Sequence, residues 1–278
     1  MPASALKPLA KRAGIPLPAH TVVDVLARAR ATGILGGEAR IKRYGRIARD
    51  EEYRKKRWRK WWNEHGSTTL PESFVARAVV EPKKSVALAE FIGIMMGDGG
   101  LSKYQAVISL NTVDDAEYVR FVAAHGEMLF GVRPTVRAHK ETCVTTIVFS
   151  RANLVQILHR LGLPIGDKLK QGLDMPQWIR KNRAYSISCM RGLVDTDGCI
   201  FTHRYIAKGK RYTYKKLSFK SASPALVASV YTLLTRLGMS PRVSRDGRDV
   251  RLESAADVRR YFTLIGSSNP KHLKRYAK

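Results

Sequence analysis

Two acidic residues end two similar apolar stretches, and their placement makes them the residues best suited to do chemistry. The stretches read F-I-G-I-M-M-G-D-G at 91–99 and M-R-G-L-V-D-T-D-G at 190–198, so that each ends in Asp-Gly, at Asp98 and Asp197. Asp-Gly is also a common turn dipeptide, and one copy alone would carry little weight. Two copies at matching places indicate a pair of carboxylates, which Mg²⁺ uses as ligands together with phosphate oxygens and water.

Small residues within both stretches predict a closely packed pair of helices. Gly93 and Gly97 are four residues apart and lie on one helix face, as do Gly192 and Thr196. Small residues at this spacing let two helix backbones approach closely. The other faces are mostly apolar, so both helices are expected at the centre of the molecule. If the helices pack in parallel, the two acids meet at the negative ends of two helix dipoles, where a cation is needed.

This geometry predicts a site for Mg²⁺, or for another divalent cation such as Mn²⁺, at the two Asp-Gly ends. The ligands are the two aspartates together with the residue before each of them, Gly97 and Thr196. Asp195 is a weaker candidate, because Met96 occupies the matching place in the first stretch. We expect Asp195 to make local contacts instead.

From residue 86 onward the chain repeats one unit. Each copy has the apolar helix, an alternating strand segment at 106–111 or 216–221, an amphipathic helix that ends at G-x-x-P, and a further strand pair. The sequence therefore predicts an α+β fold with two halves related by a pseudo-twofold axis. The predicted segments are a helical region at 1–39, a basic aromatic arm with a linker at 40–85, and the two halves at 86–180 and 181–278.

Two regions outside the core of the repeat, residues 1–62 and residues 270–276, are rich in basic residues. Within 1–39, a helix ending in A-G-I is followed by a turn and a second helix, a pattern that resembles a helix-turn-helix and also fits a plain helical hairpin. Residues 40–62 hold eleven basic residues interleaved with Tyr and Trp. This mixture favours an arm lying on nucleic acid over a merely solvated helix. Residues 270–276, P-K-H-L-K-R-Y, are predicted to form a basic tail.

The overall charge restricts the class of partner. The 278 residues include 50 Lys and Arg against 23 Asp and Glu, a net charge of +27. An enzyme of small metabolites does not need this excess, whereas a protein that displaces counterions from a phosphate backbone does. Nucleic acid is favoured over an anionic membrane surface or a basic ribosome-associated role. Cys143, Cys189 and Cys199 have no zinc spacing, and no signal peptide or membrane span is apparent, so we expect a cytoplasmic protein that joins the nucleoid when bound to DNA.

The two stretches resemble the LAGLIDADG motif of the homing endonucleases, in the single-chain form with two motifs, and the resemblance covers 86–278. It implies an αββαββα unit in each half and saddle-shaped antiparallel sheets over the major groove. It also implies Mg²⁺-dependent cutting of both DNA strands across the minor groove, by a monomer, at a long and partly symmetric site. The family's metal-binding acid precedes the final Gly, which makes Asp98 and Asp197 the catalytic pair. Polar or basic residues near the metals would hold the attacking water, and strand position suggests Asn111 and Lys220.

DNA would be read by outward-facing side chains of the strands and their turns. The candidates are Lys103, Gln105, Arg137, Lys140, Arg204, Lys208, Lys210, Arg211, Lys215, Arg245 and Arg248.

The predicted function is a site-specific DNA endonuclease of a mobile element, such as an intron or an intein. The alternative is a nuclease-inactive relative that binds DNA or RNA as a transcription regulator or intron maturase. That alternative predicts the loss of at least one of the two acids, and both are present. A structural protein of a ribonucleoprotein would leave the paired Asp-Gly ends unexplained.

Overall fold

The structure, a computed structural model, describes residues 3–17, 24–44, 51–66, 78–139, 141–207 and 209–278. The chain divides into two compact units, Met1–Val75 and Ala76–Lys278. The first unit contains, in its described part, α1 (Ala3–Ala13), α2 (Val25–Tyr44), α3 (Glu51–Trp61) and a π-helical turn (Trp62–Gly66). The turn of the helix-turn-helix pattern, at 18–23, and the DNA-binding candidates Lys140 and Lys208 lie outside the described residues. Among the described helices, none has the length and apolarity that crossing a membrane requires.

The second unit contains the αββαββα order twice, as the sequence predicts. The first half consists of α4 (Val86–Gly97), β1 (Gly99–Leu101), β2 (Ala106–Asn111), α5 (Ala116–Phe130), β3 (Thr135–His139), β4 (Val144–Phe149) and α6 (Ala152–Arg160). A short helix α7 (Gln177–Arg180) connects it to the second half. The second half consists of α8 (Arg183–Asp197), β5 (Gly198–Ala207), β6 (Lys210–Lys220), α9 (Pro224–Arg236), β7 (Arg242–Val243), β8 (Asp249–Leu252), α10 (Ala255–Leu264) and α11 (Pro270–Ala277).

Each half builds one antiparallel four-stranded sheet, with orders β1-β2-β4-β3 and β5-β6-β8-β7. The prediction of an α+β fold with two equivalent halves is therefore confirmed. The two registers also match, since Gly99 lies opposite Ile108 and Gly198 lies opposite Phe219. Both Ile108 and Phe219 are fully buried, so the same face of each sheet packs on the core and the other face points outward.

The helices α4 and α8 lie at the centre of this unit. Residues 88–97 of α4 are all buried, including every apolar side chain of the first stretch. Each helix begins at a capping side chain: the Ser85 hydroxyl accepts a hydrogen bond from Leu88 N, and the Asn182 side chain accepts one from Tyr185 N. These caps fix where both helices start. The helices end at Gly97 and Asp197, that is, at the two Asp-Gly pairs.

The end of the chain is ordered, and the prediction of a basic tail at 270–276 is wrong. These residues form α11, because Asn269 caps the helix and Pro270 occupies its first turn. Asn269 is fully buried and donates hydrogen bonds to the Asp115 carboxylate of the first half (2.8 Å) and to the Asp195 carbonyl (3.0 Å). Lys271 adds an ion pair with Asp115 at 2.7 Å. The basic residues of this segment thus tie the second half to the first.

Candidate functional site

Two glycines set the close approach of α4 and α8. A Cβ atom on Gly93 would lie 3.0 Å from the carbonyl carbon of Cys189 and closer still to its oxygen. A Cβ atom on Gly192 would lie 2.8 Å from the backbone nitrogen of Ile94 and closer still to the Glu90 carbonyl oxygen. The two contacts are related by the same offset of 99 residues, since Glu90 matches Cys189 and Gly93 matches Gly192. The helices therefore pack in parallel about a pseudo-twofold axis.

The carboxyl ends of the helices meet at Gly97 and Thr196. A Cβ atom on Gly97 would lie 2.8 Å from the Thr196 Cβ and 3.4 Å from Asp197 Oδ2. The Thr196 hydroxyl donates to the carbonyl oxygens of Gly192 (2.9 Å) and Leu193 (3.0 Å), which turns it back along its own helix. All four residues predicted for the helix contact lie in it, and this contact brings the Asp197 carboxylate against the end of α4.

The fold explains the glycine of each Asp-Gly pair but not the aspartate. The chain turns sharply from helix to strand, so a Cβ atom on Gly99 would lie 2.5 Å from the Met95 Cα. The equivalent Cβ on Gly198 would lie 2.6 Å from Val194 Cγ1. No side chain of the described residues donates a hydrogen bond to Asp98 or Asp197, so neither carboxylate has a structural partner of that kind. Two aspartates at negative helix ends are a cost to folding.

Both carboxylates have raised pKa values. Burial raises the pKa of Asp98 from 3.8 to about 6; the ammonium group of Lys168 opposes this rise, and Asp115 adds to it. Burial also raises the pKa of Asp197 to about 7, and the negative charge of Asp98 contributes to that rise. The two groups therefore repel each other in a partly desolvated place, which is the electrostatic condition that a bound cation relieves.

Lys168 is the functional candidate that the sequence analysis missed. Its ammonium group donates hydrogen bonds to the carbonyl oxygens of Met96 (2.8 Å), Gly97 and Gly99 (2.8 Å) at the end of α4. Burial lowers the pKa of Lys168, while Asp197 and Asp98 oppose that shift. The available signal was an asymmetry between the two copies of the repeat. Lys168 comes two residues after Ile165–Gly166, whereas Ser268 occupies the matching place after Ile265–Gly266.

Asp195 belongs to a separate, structural network. Its carboxylate accepts hydrogen bonds from the Ser267 hydroxyl and from Ser268 N (2.7 Å), and burial raises the pKa of Asp195 to about 7. The Ser268 hydroxyl in turn donates to Glu90 (2.6 Å), which pairs with Arg191 at 3.2 Å. These contacts connect the two halves, and each oxygen of the Asp195 carboxylate accepts one hydrogen bond within the network.

Asn111 and Lys220, the residues predicted to hold water, lie at the ends of β2 and β6, the strands that pair with β1 and β5 directly after the two aspartates. The Asn111 side chain accepts hydrogen bonds from Val113 N and Asp114 N (both 2.9 Å) and so closes a local turn. Lys220 is exposed, and its charge lowers the pKa of Asp246, after the larger effects of hydrogen bonds to that carboxylate. By sheet register the equivalent of Lys220 is Ser109, whose backbone nitrogen donates to the Asp98 carbonyl (3.1 Å).

The DNA-binding candidates divide between the two sheet faces and the turns. Arg137 lies on the outward face of β3, and Lys210 begins the outward row of β6. Lys103 and Gln105 lie in the β1–β2 turn, where Gln105 donates to Ser150 (3.1 Å), and Arg245 and Arg248 lie in the β7–β8 turn.

Three candidates lie on the other face of the second sheet. Arg204, Arg211 and Lys215 lie on the face that turns inward at the buried pair Ile200 and Leu217, because side chains alternate along β5 and β6. Lys215 is in addition tied to α11, since it donates to the Arg275 carbonyl oxygen (2.8 Å) and to Thr202 (2.9 Å).

The donor set fits a divalent cation held by two carboxylates. Asp98 and Asp197 offer oxygens that accept no hydrogen bond from the described residues, and burial raises the pKa of both carboxyl groups although Lys168 opposes the rise. Within the described part of the chain, no group of three or more His, Cys, Asp and Glu side chains forms a metal site. A cation would therefore depend on these two carboxylates, backbone oxygens, water and an anionic substrate, as Mg²⁺ commonly does.

Parts of this chain are similar to known proteins. Residues 185–266 match the sequence model of a LAGLIDADG-like domain. A search of curated proteins finds no match. Among solved structures, full-length DUF199/WhiA from Thermatoga maritima is similar at 12% identity, with a TM-score of 0.44 over 70% of this chain and 62% of that one, so this chain spans less than two-thirds of that protein.

Two nucleases of known structure are also similar. The I-LtrWI LAGLIDADG homing endonuclease bound to target DNA has 10% identity and a TM-score of 0.49 over 69% of this chain and 88% of that one. I-DmoI in complex with DNA and Mn has 21% identity and a TM-score of 0.44 over 66% of this chain and 98% of that one.

Proposed function

We propose that this chain, which belongs to the LAGLIDADG family, is a site-specific endonuclease that cuts both strands of duplex DNA with one aspartate from each of two paired helices. The observation that carries the proposal is the meeting of Asp98 and Asp197 at the end of a close helix contact, where the fold itself requires no carboxylate. A protein that only binds DNA has no use for two repelling acids at this place.

The residues present divide the chemistry between them. Asp98 and Asp197 would hold Mg²⁺ or Mn²⁺, which when bound neutralises charge on the phosphodiester and makes water a stronger nucleophile. Lys168 is fixed by three backbone carbonyl oxygens, and its charge acts on both carboxylates. A phosphodiester that reaches the two acids therefore also meets a pre-oriented cation, which stabilises developing negative charge.

The rest of the chain supplies binding to DNA. The net charge of +27 favours any polyanion, and the outward faces of the two sheets offer paired surfaces for the two halves of a long, partly symmetric site. Because both halves are in one chain, a monomer suffices. The proposed setting is the cytoplasm, on the nucleoid, with the gene carried by an intron or an intein.

The test is cleavage of a randomised duplex DNA library with Mg²⁺ by the wild type, Asp98→Asn and Asp197→Asn. The wild type is expected to cut a defined subset of sequences, while both variants bind the same sequences and leave them intact. Tight binding by the wild type without cutting, in Mg²⁺ and in Mn²⁺, would instead support a nuclease-inactive regulator or maturase.

A further inference from the structure

The two halves carry β-hairpins of very different length. In the first half, β1 has 3 residues and β2 has 6. In the second half, β5 has 10 residues and β6 has 11, and their pairing continues to Ala207 opposite Lys210. At about 3.3 Å per residue the second hairpin extends well beyond its sheet. The two halves therefore present unequal surfaces to a partner.

The outward face of the long hairpin carries an aromatic patch, defined here as Tyr205, Tyr212 and Tyr214. Tyr205 lies opposite Tyr212, and His203 lies opposite Tyr214, so all of them project from the same face. Farther along the same face, Phe201 lies opposite Lys216. Tyr205 is 42% exposed and Phe201 is 38% exposed, so this face offers apolar surface to solvent.

The rings of the aromatic patch face one another. Tyr205 stacks on Tyr212 with ring centroids 5.2 Å apart and an interplanar angle of 17°, and Tyr212 and Tyr214 are inclined by only 7° at 6.3 Å. Tyr205 and Tyr214 are 5.9 Å apart at 24°. Because the ring faces are turned toward neighbouring rings, an unpaired base has little room to stack between them. Ring edges and hydroxyl groups are what the patch presents to a partner.

The arginines on the outward face of this sheet are already paired with acids. On the outward face of this sheet, Lys216 and Arg242 pair with Glu253 at 3.3 Å and 3.4 Å. Arg251 pairs with Asp249. Within the described residues of the sheet, Arg242 and Arg251 are the arginines on this face, so its guanidinium groups are engaged by carboxylates. Of the described lysines on this face, Lys216 is engaged as well, whereas Lys210 and Lys220 make no ion pair. The aromatic patch therefore lies between these two lysines and contains no unpaired guanidinium group.

We propose that the aromatic patch recognises an A·T-rich stretch of the target through thymine methyl groups, in the half of the site that the second sheet covers. This inference rests on the proposed function, and on the placement of the sheets over the major groove that the family resemblance implies. There thymine is distinguished by its C5-methyl group, which apolar side chains contact, whereas guanine is read chiefly by Arg or Lys. The arginines of this face are engaged by acids, and Lys210 and Lys220 lie on either side of the patch. Tyrosine hydroxyl groups add contacts to neighbouring base edges or phosphates.

The test compares two randomised duplex libraries, one made with thymidine and one with deoxyuridine, which lacks only the methyl group. The full-length wild-type protein selects from each in EDTA, so that binding is measured without cutting. We expect an A·T run at one end of the sites from the thymidine library and its loss from the deoxyuridine library. On a selected site, each deoxyuridine in that run should weaken binding about fourfold, the value of one buried CH₂ group.

Variants assign the effect to the hairpin. The triple variant Tyr205→Ser, Tyr212→Ser, Tyr214→Ser should lose the A·T preference and the methyl dependence at that end alone. Tyr231→Ser is the matched control, because Tyr231 is 40% exposed on α9 and lies outside the outward face. Circular dichroism checks that each variant is folded. If the triple variant does not fold, the comparison of the thymidine and deoxyuridine libraries still tests the inference, because it uses only the wild-type protein.

The outcomes separate this inference from the proposed function. Identical selected sequences from both libraries, or a G·C run that the triple variant loses, would overturn the inference even if the selected sites are cut in Mg²⁺. Methyl-dependent binding without any cutting would support the inference and overturn the nuclease. Absence of all duplex binding would overturn both.

Discussion

Replacement of Gly93 by Ala tests the helix contact on which the site depends. The new Cβ would lie 3.0 Å from the Cys189 carbonyl carbon and closer to its oxygen, whereas ordinary contacts begin near 3.4 Å. The obstacle is backbone, so no side-chain rotation relieves it and α4 must move away from α8. Overpacking of this kind costs about 1–3 kcal/mol. The better helix propensity of Ala returns at most about 1 kcal/mol. Because the obstacle is backbone, we take the overpacking cost at the upper end of its range, so the expected loss of folding free energy is about 2 kcal/mol.

Urea denaturation of the full chain measures this loss. Gly100→Ala is the matched control, because a Cβ there meets no atom within 4 Å, and we expect it to stay within about 0.5 kcal/mol of the wild type. Gly192→Ala, the pseudo-twofold equivalent, should be as destabilising as Gly93→Ala. Wild-type stability in both helix variants would refute the close parallel packing of α4 and α8.

Three further outcomes follow from the contacts of the site. Without divalent cations, the raised pKa of Asp197 means that the protonated form stabilises the fold and that this stabilisation is lost as the pH rises through about 7. Urea titrations from about pH 5 to pH 8 should therefore show a fall in wild-type stability that is smaller in Asp197→Asn, by on the order of 1–2 kcal/mol once partial exposure is allowed for. Lys168→Met should lower the rate of DNA cleavage about a hundredfold at unchanged DNA affinity, and an unchanged rate would exclude a catalytic role. Asn269→Ala should cost about 2–3 kcal/mol in thermal or urea unfolding, because the Asp115 carboxylate and the Asp195 carbonyl lose a buried donor.

The sequence was sufficient for the parts of the fold that repeat. Two apolar helices with small residues four apart, each followed by Asp-Gly, predicted the central helix pair, and the alternating strands predicted the two sheets. The pattern works because a close backbone contact excludes side chains, so the residue types at Gly93 and Gly192 record a geometric requirement directly.

The features that the sequence did not predict depend on contacts between residues far apart in the chain, or on differences between the two halves. Lys168 lies far from Asp98 in the chain, and no repeat marks it, because Ser268 stands at the matching place. The docking of α11 through Asn269 likewise breaks the symmetry of the halves. The sheet face on which Arg204 and Arg211 lie depends on the strand register, because a shift of one residue moves every side chain to the opposite face.

The most direct test of the paired-aspartate site is a comparison of three Asp→Asn variants on one selected DNA site with Mg²⁺. We predict that Asp98→Asn and Asp197→Asn each lose cleavage by at least about a hundredfold while binding the site as the wild type does. Asp195→Asn, whose carboxylate is held by Ser267 and Ser268, should retain cleavage. Cleavage that survives in Asp98→Asn and Asp197→Asn but disappears in Asp195→Asn would contradict the assignment of the site.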